Sequence, residues 1–189
     1  MLHEPFIALD LEATGLHPED GDRLTEVGLV RIENGQIRGR WQSLVNCGKR
    51  LSASTIAYTG ITQSMIDAAP GPRVVLEQAF AFIGDTPIVS HGAAFDQLLL
   101  GSECRRVGLT APDVPFLCSL KLARRTFGHL REHSLASLAH ALGLGSTVGA
   151  HRALADAETT ARLALRLSRD LHAELRRLMA IPALASAAA

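Results

Sequence analysis

Two carboxylates on one face of an apolar strand set the first constraint on how this chain can fold. The segment Phe6-Ile7-Ala8-Leu9-Asp10-Leu11-Glu12 has strand composition and stops at the turn signal Thr14-Gly15. Side chains alternate along a strand, so Ala8, Asp10 and Glu12 point one way while Ile7, Leu9 and Leu11 point the other. Leu9 and Leu11 call for burial, which carries the two acids toward the interior. Side by side at a buried strand end, Asp10 and Glu12 repel each other unless a cation sits between them. No lysine or arginine follows until Arg23. A bound cation explains the pair better than local ion pairing or a solvated strand end. Adjacent hard oxygens suit Mg²⁺ or Mn²⁺ over zinc.

The remaining pattern is that of a layered α/β domain. β-rich runs over 24–32 and 36–45 flank Asn34-Gly35, a strong hairpin signal. Over 52–84 the pattern turns helical, with Ser52 and Thr62 as N-caps, Gly60 between two short pieces, and helical spacing from Val74 to Ile83. Pro87-Ile88-Val89-Ser90-His91 reads as a short buried strand feeding a helix over 94–107, and Phe116-Leu117-Cys118 as a last strand. Helices are predicted over 120–127, 134–142 and 152–179, with a mobile glycine-bearing loop over 143–149. The expectation is a mixed five-stranded sheet flanked by helices. A chain of 189 residues is one domain in size, here placed over 1–178 with a short apolar tail over 179–189.

Two later segments carry further acids. Asp96 comes five residues after His91, at the start of the helix that follows a second strand of the same sheet. An aspartate in a first turn stabilises the helix dipole, but this one also lies at the sheet end where α/β domains gather ligands. His151 and Asp156 are separated by about 140° around a helix, so they converge only if His151 lies just outside it. Asp156 then shares a small-residue face with Ala153, Ala157, Thr160, Ala161 and Ala164 that can approach the sheet closely. A carboxylate there needs a cation, either a metal ion or an arginine.

Taken together, Asp10-x-Glu12, His91…Phe95-Asp96 and His151-x4-Asp156 resemble the DEDD 3′–5′ exonucleases, specifically the DEDDh (DnaQ-like) branch. The three blocks occur in that family's order over 6–167, supported by Thr14-Gly15, Thr25-Glu26-Val27-Gly28 and Thr59-Gly60-Ile61-Thr62. The chain departs from the pattern at Ala13, Gly92 and Tyr58, none of which is an acid. The resemblance implies an RNase H-like fold and two divalent ions, Mg²⁺ or Mn²⁺. Asp10 would bridge both ions, Glu12 and Asp156 would hold the first, and Asp96 would serve the second. His151 would act as general base, a task that histidine chemistry suits near neutral pH. Thr14, Gly15 and Leu16 would line the slot for the 3′-terminal nucleotide, with Phe95 packed on its sugar or base.

The implied activity is release of 5′-mononucleotides from the 3′ ends of single-stranded nucleic acid, DNA being favoured. Three alternatives stay open: an inactive binding module on the same scaffold, a polymerase proofreading subunit, and an RNA-directed exoribonuclease. Proofreading subunits of this branch usually carry a further tail. Only 178–189 follows the long helix here, without a glutamine-led clamp signature, so an unattached enzyme is expected and polymerase association is unsupported. Homodimerisation is left open.

Charge limits how such a protein can hold its substrate. With 19 basic and 19 acidic side chains, the chain is neither a disordered polyelectrolyte nor a protein that grips duplexes by bulk positive charge. Arg105-Arg106 and Arg124-Arg125 are the basic pairs, read as solvated helix faces that could guide a backbone. Cys47, Cys104 and Cys118 are odd in number and widely spaced, as free thiols in a reducing compartment would be. The N-terminus lacks signal-peptide character and the apolar end is too short to span a bilayer, so a cytoplasmic protein with no membrane contact is expected.

Overall fold

In the computed structural model, residues 5–145 and 151–179 are described, with side chains to residue 171 in the last helix. Five strands form one mixed sheet in the order β3-β2-β1-β4-β5. They are β1 (Phe6–Ala13), β2 (Leu24–Glu33), β3 (Gln36–Leu44), β4 (Ile88–Ser90) and β5 (Phe116–Cys118). β1 is central, antiparallel to β2 and parallel to β4, and β4 is parallel to β5. The β2–β3 turn is made by Asn34 and Gly35, both at positive φ (51° and 72°), as an Asn-Gly hairpin requires.

Among the described residues seven helices surround the sheet: α1 (Ala53–Thr59), α2 (Gln63–Asp67), α3 (Pro72–Ile83), α4 (Ala93–Val107), α5 (Ser119–Thr126), α6 (Leu135–Leu142) and α7 (Ala153–Met179). Ser52 and Thr62 cap α1 and α2 by accepting from the Thr55 and Met65 N–H groups. A short 3-10 turn over Pro18–Asp20 was not anticipated from the sequence. The predicted loop over 143–149 lies largely outside the described residues, as does the tail beyond Met179. Among the described residues, no helix is long and apolar enough to cross a membrane.

The alternation in β1 divides the core as its sequence predicts. Ile7, Leu9 and Leu11 pack with Leu29, Val75, Leu76 and Leu99 on the side of α3 and α4. Phe6 and Ala8 pack on the other side with Val30, Val89 and the alanines Ala157, Ala161 and Ala164 of α7. Small side chains on α7 allow the close approach that brings Asp156 to the central strand.

Gly28 completes that approach. It pairs with Asp10 across β1 and β2, so a side chain there would project beside the acid. A Cβ at Gly28 would lie 2.2 Å from the Ala153 carbonyl carbon and 2.4 Å from the Leu154 nitrogen, both backbone atoms. Gly28→Ala is therefore expected to push the start of α7 off the sheet. An overpacking cost of about 1–3 kcal/mol corresponds to a fall in Tm of roughly 2–10 °C, read by thermal melting.

Candidate active site

Asp10, Glu12, Asp96 and Asp156 reach the same region from three separate stretches of chain. Asp10 and Glu12 end the buried part of β1, Asp96 lies in the first turn of α4, and Asp156 lies in the first turn of α7. Carboxylate oxygens of Asp10, Glu12 and Asp156 fall within 4.8 Å of one another. Asp96 is outside this trio, buried at 5% exposure, yet its charge acts on Asp10 more strongly than that of Glu12 does.

The His151–Asp156 geometry resolves the angular problem posed by their spacing. His151 precedes α7 in a left-handed conformation (φ 64°), so it is not bound to the helical repeat. Its backbone N–H donates to Asp156 Oδ2 at 2.9 Å. Its ring stacks on Tyr58 of α1, with centroids 3.7 Å apart and planes 29° from parallel. Tyr58, one of the departures from the family pattern, thus enters the site through a contact that spacing alone could not reveal.

Arginine does not serve Asp156. Arg152 instead makes a bidentate pair with Glu26, through Nε to Oε2 at 3.0 Å and Nη2 to Oε1 at 2.8 Å. Glu26, 1% exposed, also accepts from the Ala153 N–H at 3.0 Å and so ties β2 to the start of α7. It stands opposite Glu12 in the β1–β2 register. In the sequence Thr25-Glu26-Val27-Gly28 stands only as a supporting match to the family pattern, and the arginine that Glu26 meets lies 126 positions away.

Burial dominates the electrostatics of the cluster. It pushes the Glu12 carboxyl up to about 7, helped by Asp156 and Glu26, with Arg152 opposing. It pushes Asp96 up to about 7 as well. Asp10 is raised well above the ordinary carboxylate range by burial, then by Asp96, Glu12 and Asp156. Asp156 is raised by burial, and the His151 N–H pulls the other way. Among the described residues no lysine or arginine forms an ion pair with any of these four acids. Crowded oxygen donors that hold protons for want of a counter-charge fit divalent, oxygen-preferring cations.

A cavity of about 450 Å³ opens beside Glu12, lined among others by Thr14, Gly15, Leu16, Phe95, Thr55 and Tyr58. The Thr14 hydroxyl donates to Asp22 at 2.8 Å and the Thr14 carbonyl accepts from the Thr55 hydroxyl at 3.2 Å, which braces the turn after β1. Leu16 is 73% exposed, so it is no core residue. Phe95 packs against the core with one part of its ring and lines the cavity with another. Of the residues singled out in the sequence, Asp10, Glu12 and Asp156 form the trio, Thr14, Gly15, Leu16 and Phe95 line the cavity with Glu12, Asp96 lies outside the trio, and His151 contacts Asp156 through its backbone N–H. Thr55, which the sequence does not mark, and Tyr58, which it marks only as a departure from the family pattern, are further lining residues.

Comparison with known proteins agrees with this arrangement. The RNase T exonuclease family model matches residues 7–164. DNA polymerase III PolC-type of Halalkalibacterium halodurans is 32% identical over 170 residues, which are 90% of this chain and 12% of that protein. The same polymerase of Thermotoga maritima is 37% identical over 161 residues, 85% of this chain and again 12% of the relative. The chain thus spans about an eighth of the length of these curated relatives. In fold, the nuclease domain of 3′hExo, a DEDDh family member bound to rAMP, superposes with a TM-score of 0.76 at 23% identity, over 89% of this chain and 94% of that one. E. coli Exonuclease I in complex with a dT13 oligonucleotide gives a TM-score of 0.78 at 18% identity, over 93% of this chain and 43% of that one. Acids in the DEDDh order, a sheet of the RNase H-like kind and a family match across most of its length place the chain in the exonuclease family, within the DEDDh (DnaQ-like) branch.

Proposed function

We propose that this domain is a 3′–5′ exonuclease that removes 5′-nucleoside monophosphates from single-stranded 3′ ends, with DNA as the preferred polymer. The observation that carries the reading is the carboxylate trio held within 4.8 Å beside a histidine whose backbone is fixed to one of its members. The PolC-type relatives and the dT13 bound to Exonuclease I support DNA, and the rAMP bound to 3′hExo keeps RNA as the second polymer to test. A polymerase partner rests only on the PolC match.

Asp10, Glu12 and Asp156 are the residues that would hold one divalent ion, and Asp10 with Asp96 a second, Mg²⁺ or Mn²⁺ in each place. When bound, such a pair stabilises charge on the attacking and leaving oxygens of an in-line phosphoryl displacement. The chain does the rest. The cavity formed by Thr14, Gly15, Leu16 and Phe95 receives the terminal nucleotide, and Phe95 gives it an apolar surface that is tolerant of any base. The left-handed backbone at His151 and the Tyr58 stack hold the imidazole at the rim of the acid cluster, where a ring nitrogen takes the proton of the attacking water. The bond between phosphorus and the 3′ oxygen breaks, and the released nucleotide keeps the phosphate at its 5′ position.

Digestion of single strands labelled at one end or the other tests this directly. With Mg²⁺ or Mn²⁺, a 5′-labelled strand is expected to give a ladder and a 3′-labelled strand to lose its label at once as a mononucleotide. Shortening from the 5′ end, or binding without cleavage, rejects the assignment. Parallel DNA and RNA strands of equal sequence rank the two polymers.

A further inference from the structure

The two basic pairs noted in the sequence have different fates. Arg106 is tied to buried Glu103 and to the Asp22 and Pro18 carbonyls, and Arg105 donates to the Ser102 hydroxyl at 2.9 Å. Arg124 and Arg125 are exposed, and neither they nor Arg131 forms an ion pair or a side-chain hydrogen bond among the described residues. Between residues 119 and 135 the chain carries four basic side chains (Lys121, Arg124, Arg125 and Arg131) against one acid, Glu132. A local excess of this kind stands out in a chain whose charges cancel overall.

Two of the four, Arg124 and Arg131, line a built cleft. A cavity of about 500 Å³ lies between α5 and the start of α6, walled by Arg124, Arg131, His91, His133 and Ser134. The ring nitrogens of His91 sit 3.0 Å from the Ser119 hydroxyl and 2.9 Å from the His133 carbonyl, joining the end of β4 to the loop before α6. The His133 ring in turn meets the Phe127 carbonyl at 3.1 Å. Apolar residues of α5, Leu122 and Ala123, pack inward with Leu163 and Leu167 of α7, which leaves the arginines facing water.

Position relates the cleft to the acids. β1, β4 and β5 are adjacent and parallel, so their C-terminal ends share one edge of the sheet. Neighbouring strands lie about 4.8 Å apart, so the end of β5, where α5 begins and which is level with Leu9 in the register, is about 10 Å from Leu9 and roughly 16 Å from the end of β1, which runs on to Ala13. A strand with its terminal nucleotide beside Glu12 thus has cationic surface along the same edge.

We propose that this α5–α6 cleft is a second nucleic-acid contact, which takes the sugar-phosphate backbone of the substrate strand upstream of its terminal nucleotide. Arg124 and Arg131 supply the charge, and the backbone N–H groups that begin α6 add to the positive potential there. The inference rests on the exonuclease reading for the direction of the strand, but its binding term does not require catalysis.

Fluorescence anisotropy in EDTA isolates that term, because no metal then neutralises the acid cluster. At low salt the wild-type chain is expected to bind labelled (dT)16 more tightly than (dT)3. Each phosphate contact to a single strand contributes a salt slope of about 0.7. The double variant Arg124→Gln/Arg131→Gln should therefore lower the slope of log K against log salt by about 1.4 and bring the two oligomers close together in affinity. Arg124→Lys/Arg131→Lys should keep most of the slope, since backbone contacts need charge rather than a planar fork. Equal affinity and slope in the glutamine variant, or no preference for length in the wild type, overturns the proposal. Cleavage from the wrong end would reject the exonuclease reading and leave the anisotropy result standing, so the two fail separately.

Discussion

Asp10→Asn is expected to lose metal-dependent hydrolysis by ~10³-fold or more, beyond the 10²–10³ typical of removing one stabilising donor. Asp10 shares the central strand with Glu12 and feels the charges of Asp96, Glu12 and Asp156 together. In the proposed reading, an amide there would leave a single neutral oxygen where a charged carboxylate would serve both ions. Stability should move in the opposite direction. A carboxyl whose folded-state value is raised holds its proton where the unfolded chain has lost its own, so the fold weakens as pH climbs from the ordinary carboxylate range through the raised value. Without metal at pH 8, the amide variant should therefore melt at or above the wild-type temperature. That difference should vanish below about pH 4, where both chains carry an uncharged group at this position. A variant that keeps its turnover, or that melts far below the wild type at pH 8, contradicts this account of Asp10.

His151→Ala is expected to slow the chemical step by ~10²–10⁴, the range for a lost general base. The contact between residue 151 and Asp156 is made by the backbone N–H, so it survives removal of the ring. Metal affinity, measured by calorimetry, should then stay near wild type while turnover falls. A joint loss of affinity and rate would make the imidazole a ligand instead. Substrate binding gives a second check, because a group that acts only on the attacking water leaves KM largely in place.

Much of this site was legible because its information is local. Alternation along β1 put Asp10 and Glu12 on the side of α7, and the alanines of α7 announced a helix that can approach closely. Asn34-Gly35 gave the hairpin, and Ser52 and Thr62 gave two helix starts. Boundaries moved by a residue here and there, as with α5, which starts at Ser119 rather than at 120. What stayed hidden depends on tertiary pairing. Asp156 could have met an arginine; it meets a backbone N–H, while Arg152 turns to Glu26. Tyr58 belongs to a different helix from the histidine on which it stacks. The separate fates of Arg105-Arg106 and Arg124-Arg125 turned on Glu103, a buried acid that draws Arg23 and Arg106 to itself.

The order in which the acids occur along the chain also sets when the cluster can assemble during synthesis. Asp10 is made before His151, which directly precedes α7, and before Asp156 within that helix. A nascent polypeptide that has not yet extended through Asp156 holds repelling carboxylates without the groups that complete them. Until then the cluster is incomplete, and it closes in one step when Asp156 reaches the strand that carries Asp10 and Glu12.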